Sequence, residues 1–296
     1  MPTAPIADPS PDLAPAQLPA DGHVHSQFSY DTNTGDMVAT CARAVELGLP
    51  VVAFTEHSDL TPFTFYAHER EHLYEPLRSL VPEGGGVVQA PPLDVQGYLA
   101  SIERCRDQFP QLRILTGVEL GEPHRFPTEC AELVKAGGFE RVLGSLHSLE
   151  ARGGFAEVSA LVHGDDPLAV VRTYLAELAE LAGSTADFDV LAHVDFPVRY
   201  LPERAKPFSF EAAEPEYRAV LEALARSGRA LEVNTRLPLP SMIVRWWHEA
   251  GGQAVTFGSD AHAPWRLGNG FREAMAMVEA AGFRPAREAQ DPWQRG

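Results

Sequence analysis

Seven short runs of apolar and β-branched residues, each followed by a longer amphipathic stretch, leave this chain few folds to adopt. The runs fall at residues 22–24, 51–55, 114–118, 141–146, 190–193, 230–233 and 254–258. The amphipathic stretches fall at 35–47, 95–108, 128–136, 167–182, 212–227, 240–250 and 266–281. Pro167 and Pro240 suit first-turn positions, and Gly48, Gly228, Gly251 and Gly282 suit helix ends. Strands that alternate with helices pair in parallel, and the helices cover the sheet. At 296 residues the chain has the length of one α/β barrel, expected to occupy residues 21–284.

Two stretches interrupt the rhythm and are expected to be insertions at the barrel mouth. Residues 59–94 carry Pro62, Pro76, Pro82, Pro91 and Pro92 and the run Gly84-Gly85-Gly86, with one helix expected at 68–80. Residues 152–166 form the second. Long loops at the working end of a barrel often act as lids. Residues 1–20 are rich in Pro and Ala, lack basic residues and have no apolar segment of signal-peptide length, so a disordered or draped tail is expected. Residues 285–296 are polar and expected to fray. No apolar run is long enough for a membrane span. Cys41, Cys105 and Cys130 are far apart and form no C-x-x-C; they read as small buried hydrophobes, and a reducing cytoplasm is the expected compartment.

The net charge of −17 disfavours long DNA or RNA as substrate, because an acidic surface repels polyanions. A local basic pocket could still hold one phosphate.

Six short motifs follow, five of them closing an expected strand: Asp21-Gly22-His23-Val24-His25, Thr55-Glu56-His57-Ser58-Asp59, Gly117-Val118-Glu119, Gly144-Ser145-Leu146-His147-Ser148, Leu191-Ala192-His193-Val194-Asp195 and Gly258-Ser259-Asp260-Ala261-His262. Residues two apart on an extended segment face the same side, so His23 and His25 can grip one ion. In a barrel the C-terminal strand ends share one face, where imidazoles and carboxylates would gather. Taken singly, His147 or His193 reads as a hydrogen-bonded structural residue, and Glu119 or Asp260 as a helix cap. Taken together, six of the eleven histidines crowd one mouth, and divalent cations relieve that crowding. Imidazole with carboxylate suits Zn, Mn or Fe, and the lack of thiolates disfavours a closed structural zinc site.

The ordered set resembles the polymerase and histidinol phosphatase (PHP) family over about residues 21–281. The resemblance implies a distorted TIM-like (β/α)7 barrel with two to three divalent metal ions. By that resemblance His23, His25, Glu119 and Asp260 hold the first ion. Glu119 bridges to the second, completed by His147 and His193. His57, His262 and Asp31 hold the third; Asp31 also reads as a turn residue in Ser29-Tyr30-Asp31-Thr32-Asn33. Chain length, insertions and the segment from His193 to Tyr200 resemble the histidinol-phosphatase branch, where an Arg after the fifth-strand His binds phosphate. Arg199 matches that position, though it also reads as an Arg paired with an acidic neighbour, with Arg236 and Arg266 as further candidates. Val198 replaces the first of the two adjacent basic residues usual in that branch.

The expected reaction is hydrolysis of a small phosphorylated substrate, L-histidinol phosphate foremost. Water bridging two ions would attack phosphorus in line, with Glu119, Asp260, Asp31 and His262 as the catalytic set and Asp31, Asp195 or a metal-bound water able to serve the leaving group. A phosphodiesterase or exonuclease on short oligonucleotides would use the same ions. A zinc peptidase would use His68-Glu69-Arg70-Glu71-His72, a literal H-E-x-x-H that reads instead as a solvated lid face. A non-catalytic metal-binding module would not need so complete a ligand set.

Overall fold

Each expected strand forms, and each is followed by one main helix. The strands are β1 (Asp21–Val24), β2 (Val51–Asp59), β3 (Arg113–Gly121), β4 (Arg141–Ser145), β5 (Val190–Leu191), β6 (Ala230–Asn234) and β7 (Ala254–Gly258). The helices are α1 (Met37–Leu47), α2 (Val95–Gln108), α3 (Pro127–Gly137), α4 (Pro167–Gly183), α5 (Glu214–Ser227), α6 (Ser241–Glu249) and α7 (Phe271–Ala280). The computed structural model describes residues 17–296 apart from Tyr74 and Asp165. The expected tail at 1–20 therefore lies mostly outside the described residues.

The seven strands pair in parallel in sequence order. The ends meet just beyond β7, where Asp260 N donates to His23 O (2.8 Å) and His25 N to Ala261 O (2.9 Å). The result is the distorted (β/α)7 barrel. Strands covered on both faces can be apolar throughout, which is why they read as continuous runs. β2 and β3 are longer than their apolar runs suggest, at nine residues each and in full register from Val51↔Arg113 to Asp59↔Gly121. Their polar continuations carry Glu56, His57, Asp59 and Glu119 up to the mouth.

Local chemistry sets the helix ends. Asp36, Asp94 and Asp166 accept from Ala39 N, Gly97 N and Ala169 N, capping α1, α2 and α4. Pro167 occupies the first turn of α4, whereas Pro240 sits one position earlier, as the N-cap of α6. The last helix starts at Phe271 and not at 266, because Gly268 and Gly270 both adopt positive φ and break the chain from the 3₁₀ turn Pro264–Arg266. All three cysteines are buried free thiols.

Two expectations are corrected. Residues 285–296 do not simply fray: Trp293–Arg295 pairs antiparallel with β7, and Phe283–Arg284 pairs with it in turn. Trp293 is buried against Phe257, with ring centres 4.9 Å apart, and burying a ring of that size outweighs the polar neighbours. Residues 68–80 are not one helix. They hold a 3₁₀ turn (Ala67–His72) and one helical turn (Leu77–Leu80), separated at Pro76, which has no N–H to continue a helix.

The insertions pack on each other above the mouth. The first is a hairpin of Phe63–Tyr66 with Gly85–Val88, and the second a hairpin of Ser148–Ala151 with Gly154–Glu157. Phe63, Phe65, Leu73, Leu77, Val81 and Val88 of the first share a small apolar core with Ala160 of the second, separate from the barrel core. Arg152 ties the two hairpins. It donates to Thr64 O (3.0 Å), pairs with the buried Glu69 and lies over the Tyr66 ring. Glu69 also accepts from Tyr66 N at 2.7 Å. The central acid of the H-E-x-x-H is therefore a buried structural anchor, not part of a solvated face. The 3₁₀ geometry, at three residues per turn, also takes His68 and His72 off a common side. The peptidase reading fails on both counts.

Candidate metal centre

Parallel register brings the motif side chains together. His57 on β2 stands directly across from Glu119 on β3. Both are buried, as are His23, His25, Asp31, His147, His193 and Asp260; only His262 is partly open. Glu119 is the hub. Its Oε2 lies 3.0 Å from His23 Nε2, 3.3 Å from His25 Nε2 and 3.2 Å from His57 Nδ1. Its Oε1 lies 2.8 Å from His193 Nε2, 3.3 Å from His147 Nε2 and 2.6 Å from Ser145 Oγ.

Around this hub the donors fall into groups whose ligand atoms lie within 4.8 Å of one another. His23, His25 and Glu119 form one group, His23, His193 and Asp260 another, and Glu119, His147 and His193 a third. His25, His57 and His262 form a fourth, with Asp31 Oδ2 2.8 Å from His262 Nε2 and 3.4 Å from His57 Nε2. All nine positions named from the sequence thus gather around Glu119; seven of them line one cavity, with His23 and His25 buried beneath it. Asp260 adopts φ +52°, a conformation uncommon for residues other than Gly, which turns its carboxylate inward at the β7 end.

The outer nitrogens matter as much. Metal-ligating imidazoles are usually held by a carboxylate, carbonyl or hydroxyl on the other ring nitrogen. His23 Nδ1 lies 2.7 Å from Glu232 Oε1, and His147 Nδ1 lies 2.7 Å from Asp59 Oδ1. His25 Nδ1 lies 2.9 Å from Ser29 Oγ, which in turn donates to Glu56 Oε2 at 2.6 Å. Glu232, Asp59 and Glu56 were not singled out by the sequence motifs. Glu56 and Asp59 sit inside a quoted motif with no assigned role. Glu232 stands two before Asn234 on a strand otherwise apolar, and a buried acid there is the signal that could have found it. Gly258 is required beside this contact, because a Cβ there would come within 2.1 Å of Glu232 Oε1.

The electrostatics suit cations. Burial pushes the Glu119 carboxyl up, but His23, His57 and His147 outweigh it and hold it well below the usual range. Burial likewise opposes ionisation of Asp260, and Arg236, His23 and Arg199 hold it well below. Burial and the charges of His262 and His57 push His25 well down, so it is a neutral donor. Burial also lowers His193. His57 rises to about 9, since Asp31 and Glu119 overcome its burial. Burial works against charge on His23, but Glu119, Glu232 and Asp260 hold it well above its usual range, and its Nε2 lies 3.0 Å from His25 Nε2. Ionised carboxylates and facing imidazole nitrogens at such spacing fit divalent ions.

The PHP domain family matches residues 21–236. This chain belongs to the PHP family. The histidinol-phosphatase of Lactococcus lactis subsp. lactis (strain IL1403) is 25% identical over 274 residues, 89% of this chain and 91% of that protein. The probable histidinol-phosphatase of Thermotoga maritima is 26% identical over 270 residues, 89% of this chain and 92% of that one. The crystal structure of histidinol phosphate phosphatase from L. lactis, complexed with zinc, L-histidinol and phosphate, aligns with a TM-score of 0.74 at 24% identity, over 93% of this chain and 98% of that one.

The arginines divide. Arg199 Nη1 lies 2.5 Å from Asp260 Oδ2, and Arg236 Nη1 lies 3.2 Å from Asp260 Oδ1. Arg236 lines the PHP cavity with Asp31, Glu119, Asp260 and His262. The Arg199 side chain is buried and stands behind Asp260 rather than among the residues lining the cavity, and Arg266 is exposed on its 3₁₀ turn and does not line it either. Asp195, offered as a proton source, is fully buried behind Arg199 and also does not line the cavity; burial raises its carboxyl to about 6. Glu232→Gln is expected to weaken metal affinity by about 10–100-fold while leaving the fold intact, because it removes the charge behind His23. Titration against a chelator checks this, and unchanged affinity would mean that His23 is held by other contacts.

Proposed function

We propose that this chain is a metal-dependent phosphomonoesterase that converts L-histidinol phosphate and water to L-histidinol and phosphate. One observation carries the reading: nine candidate ligands and two arginines meet at a single mouth. The named relatives share this chain over nearly its whole length, which supports the same substrate.

His23, His25, Glu119 and Asp260, with His147, His193, His57, His262 and Asp31, would hold two to three divalent ions, zinc first and manganese or iron as alternatives. Bound there, the ions would activate a water for in-line attack and neutralise the leaving oxygen. Arg199 and Arg236 bind the non-bridging phosphate oxygens, for which a planar guanidinium fork is suited. Asp31 holds its imidazole partners rather than donating a proton: His262 and His57 overcome burial and keep its carboxyl well below the usual range. Such an acid is ionised at neutral pH. The cavity walls at Phe63, Leu77 and Phe196 are apolar, which suits a small substrate better than a nucleic-acid strand.

A phosphate-release screen on metal-loaded protein tests the reading. L-histidinol phosphate should give the highest kcat/KM among monoesters, cyclic phosphates and short oligonucleotides. Release from no monoester, or a clear preference for oligonucleotides, would overturn it.

A further inference from the structure

Tyr30 stands where the first mouth insertion meets the metal centre. It precedes Asp31 in the loop after β1 and lines the cavity. Its ring packs against the apolar core of the first insertion, formed by residues such as Phe63, Phe65, Leu73 and Leu77. The ring centre lies 5.4 Å from that of His57. Its hydroxyl donates to Asp59 Oδ2 at 3.0 Å.

Asp59 is the buried carboxylate behind His147, with Oδ1 2.7 Å from His147 Nδ1. It stands opposite Gly121 on β3, where a Cβ would come within 1.9 Å of Oδ1, so the carboxylate fills space that glycine leaves open. Gln89, just past the first hairpin, donates to Asp59 O at 3.3 Å and holds the strand end. These contacts fix where the carboxylate sits but not how it is turned, and two imidazoles compete for it. Oδ1 faces His147, while Oδ2 lies 3.6 Å from His57 Nδ1. Both rings are candidate ligands: His147 Nε2 lies 3.3 Å from Glu119 Oε1, and His57 Nε2 lies 3.4 Å from Asp31 Oδ2. A carboxylate swung toward His57 would release His147. The Tyr30 hydroxyl engages Oδ2 and so keeps Oδ1 on His147. A phenol O–H on a carboxylate is a charge-assisted bond, stronger than a neutral one, and burial strengthens it further.

We infer that Tyr30 is a positioning residue of the metal centre: its hydroxyl turns Asp59 toward His147 and thereby tightens the hold of His147 on a divalent ion. The inference rests on the metal-dependent reading and deepens it. The alternative is that Tyr30 only fills space beneath the first insertion, where a phenylalanine would serve equally well.

Tyr30→Phe separates the two, because it keeps the ring and removes the hydroxyl. Zinc affinity, read by titration against a chelator, should fall about tenfold, the lower end for loss of an outer partner. In the Asp59→Asn background the same replacement should change affinity by less than about threefold, because the charge it orients is gone. At full metal content Tyr30→Phe should come within about threefold of the unaltered kcat/KM for L-histidinol phosphate, less than the loss of one charge-assisted bond to substrate. Unchanged zinc affinity in Tyr30→Phe would mean that the ring only packs, and overturns the assignment. Equal losses in both backgrounds overturn it as well, since Tyr30 would then act without Asp59. A larger loss of turnover at full metal content puts the phenol on the substrate and overturns it too. Each of these results leaves the phosphomonoesterase reading standing, whereas an unaltered protein that binds no zinc, manganese or iron removes both.

Discussion

Glu119→Gln is expected to lower phosphate release by roughly 10³-fold, the upper range for loss of one principal electrostatic group. The geometry concentrates the effect. Five imidazoles, those of His23, His25, His57, His147 and His193, lie within 3.3 Å of its two oxygens. An amide of nearly the same shape keeps one acceptor but loses the charge and the second acceptor. Two donor groups, His23 with His25 and His147 with His193, then lose their common anionic member. Metal content by elemental analysis should drop with activity, and added zinc should not restore it. The conservative shape separates this from misfolding, because packing around the side chain is unchanged. A variant that keeps full metal content and full activity would remove Glu119 from the centre of the site.

The contrast between this residue and its supporters shows what the sequence could disclose. Glu119, His147, His193 and Asp260 each stand at or just beyond the end of an apolar run, and barrel geometry sends every such end to one mouth. Their convergence follows from a local pattern repeated along the chain. Glu232 is different. Its contact with His23 joins residues 209 apart, across the closure of β7 onto β1, and no local periodicity encodes that pairing. Glu157, which lines the cavity, was hidden for a similar reason: it ends a short hairpin turned at Gly153 and Gly154, outside the strand–helix alternation that orders the barrel. The fifth-strand motif was legible as chemistry yet misleading in direction. Asp195 lies two residues after His193, as it would on an extended segment, but the chain turns into the short helix Phe196–Arg199 and carries Asp195 behind the cavity. The C-terminal strand was missed because a single buried Trp293 outweighs a polar neighbourhood that composition registers more strongly.

Arg199 gives the second large effect. Its guanidinium is buried, its Nη1 touches Asp260, and its Nη2 lies 4.0 Å from Asp195 Oδ1. Burial works against its charge, but Asp260 and Asp195 hold its pKa above the ordinary value, so it stays cationic. Nε and Nη2 have no hydrogen-bond partner among the described residues. This buried cation with two unused donors stands behind Asp260 and does not itself line the cavity, so its reach to a bound phosphate is what the variants test. Arg199→Lys keeps the charge and loses the fork. It should weaken inhibition by inorganic phosphate by about tenfold, the equivalent of one charge-assisted hydrogen bond. Arg199→Ala should lower kcat/KM by roughly 100-fold or more, since two such bonds are lost. Metal content discriminates the causes. If Arg199 acted only by holding Asp260 in place, both variants would shed metal while phosphate inhibition of the reloaded enzyme stayed normal. Weakened phosphate inhibition at full metal content instead places the guanidinium on the substrate, because the inhibitor shares nothing with L-histidinol phosphate except the group that Arg199 would hold.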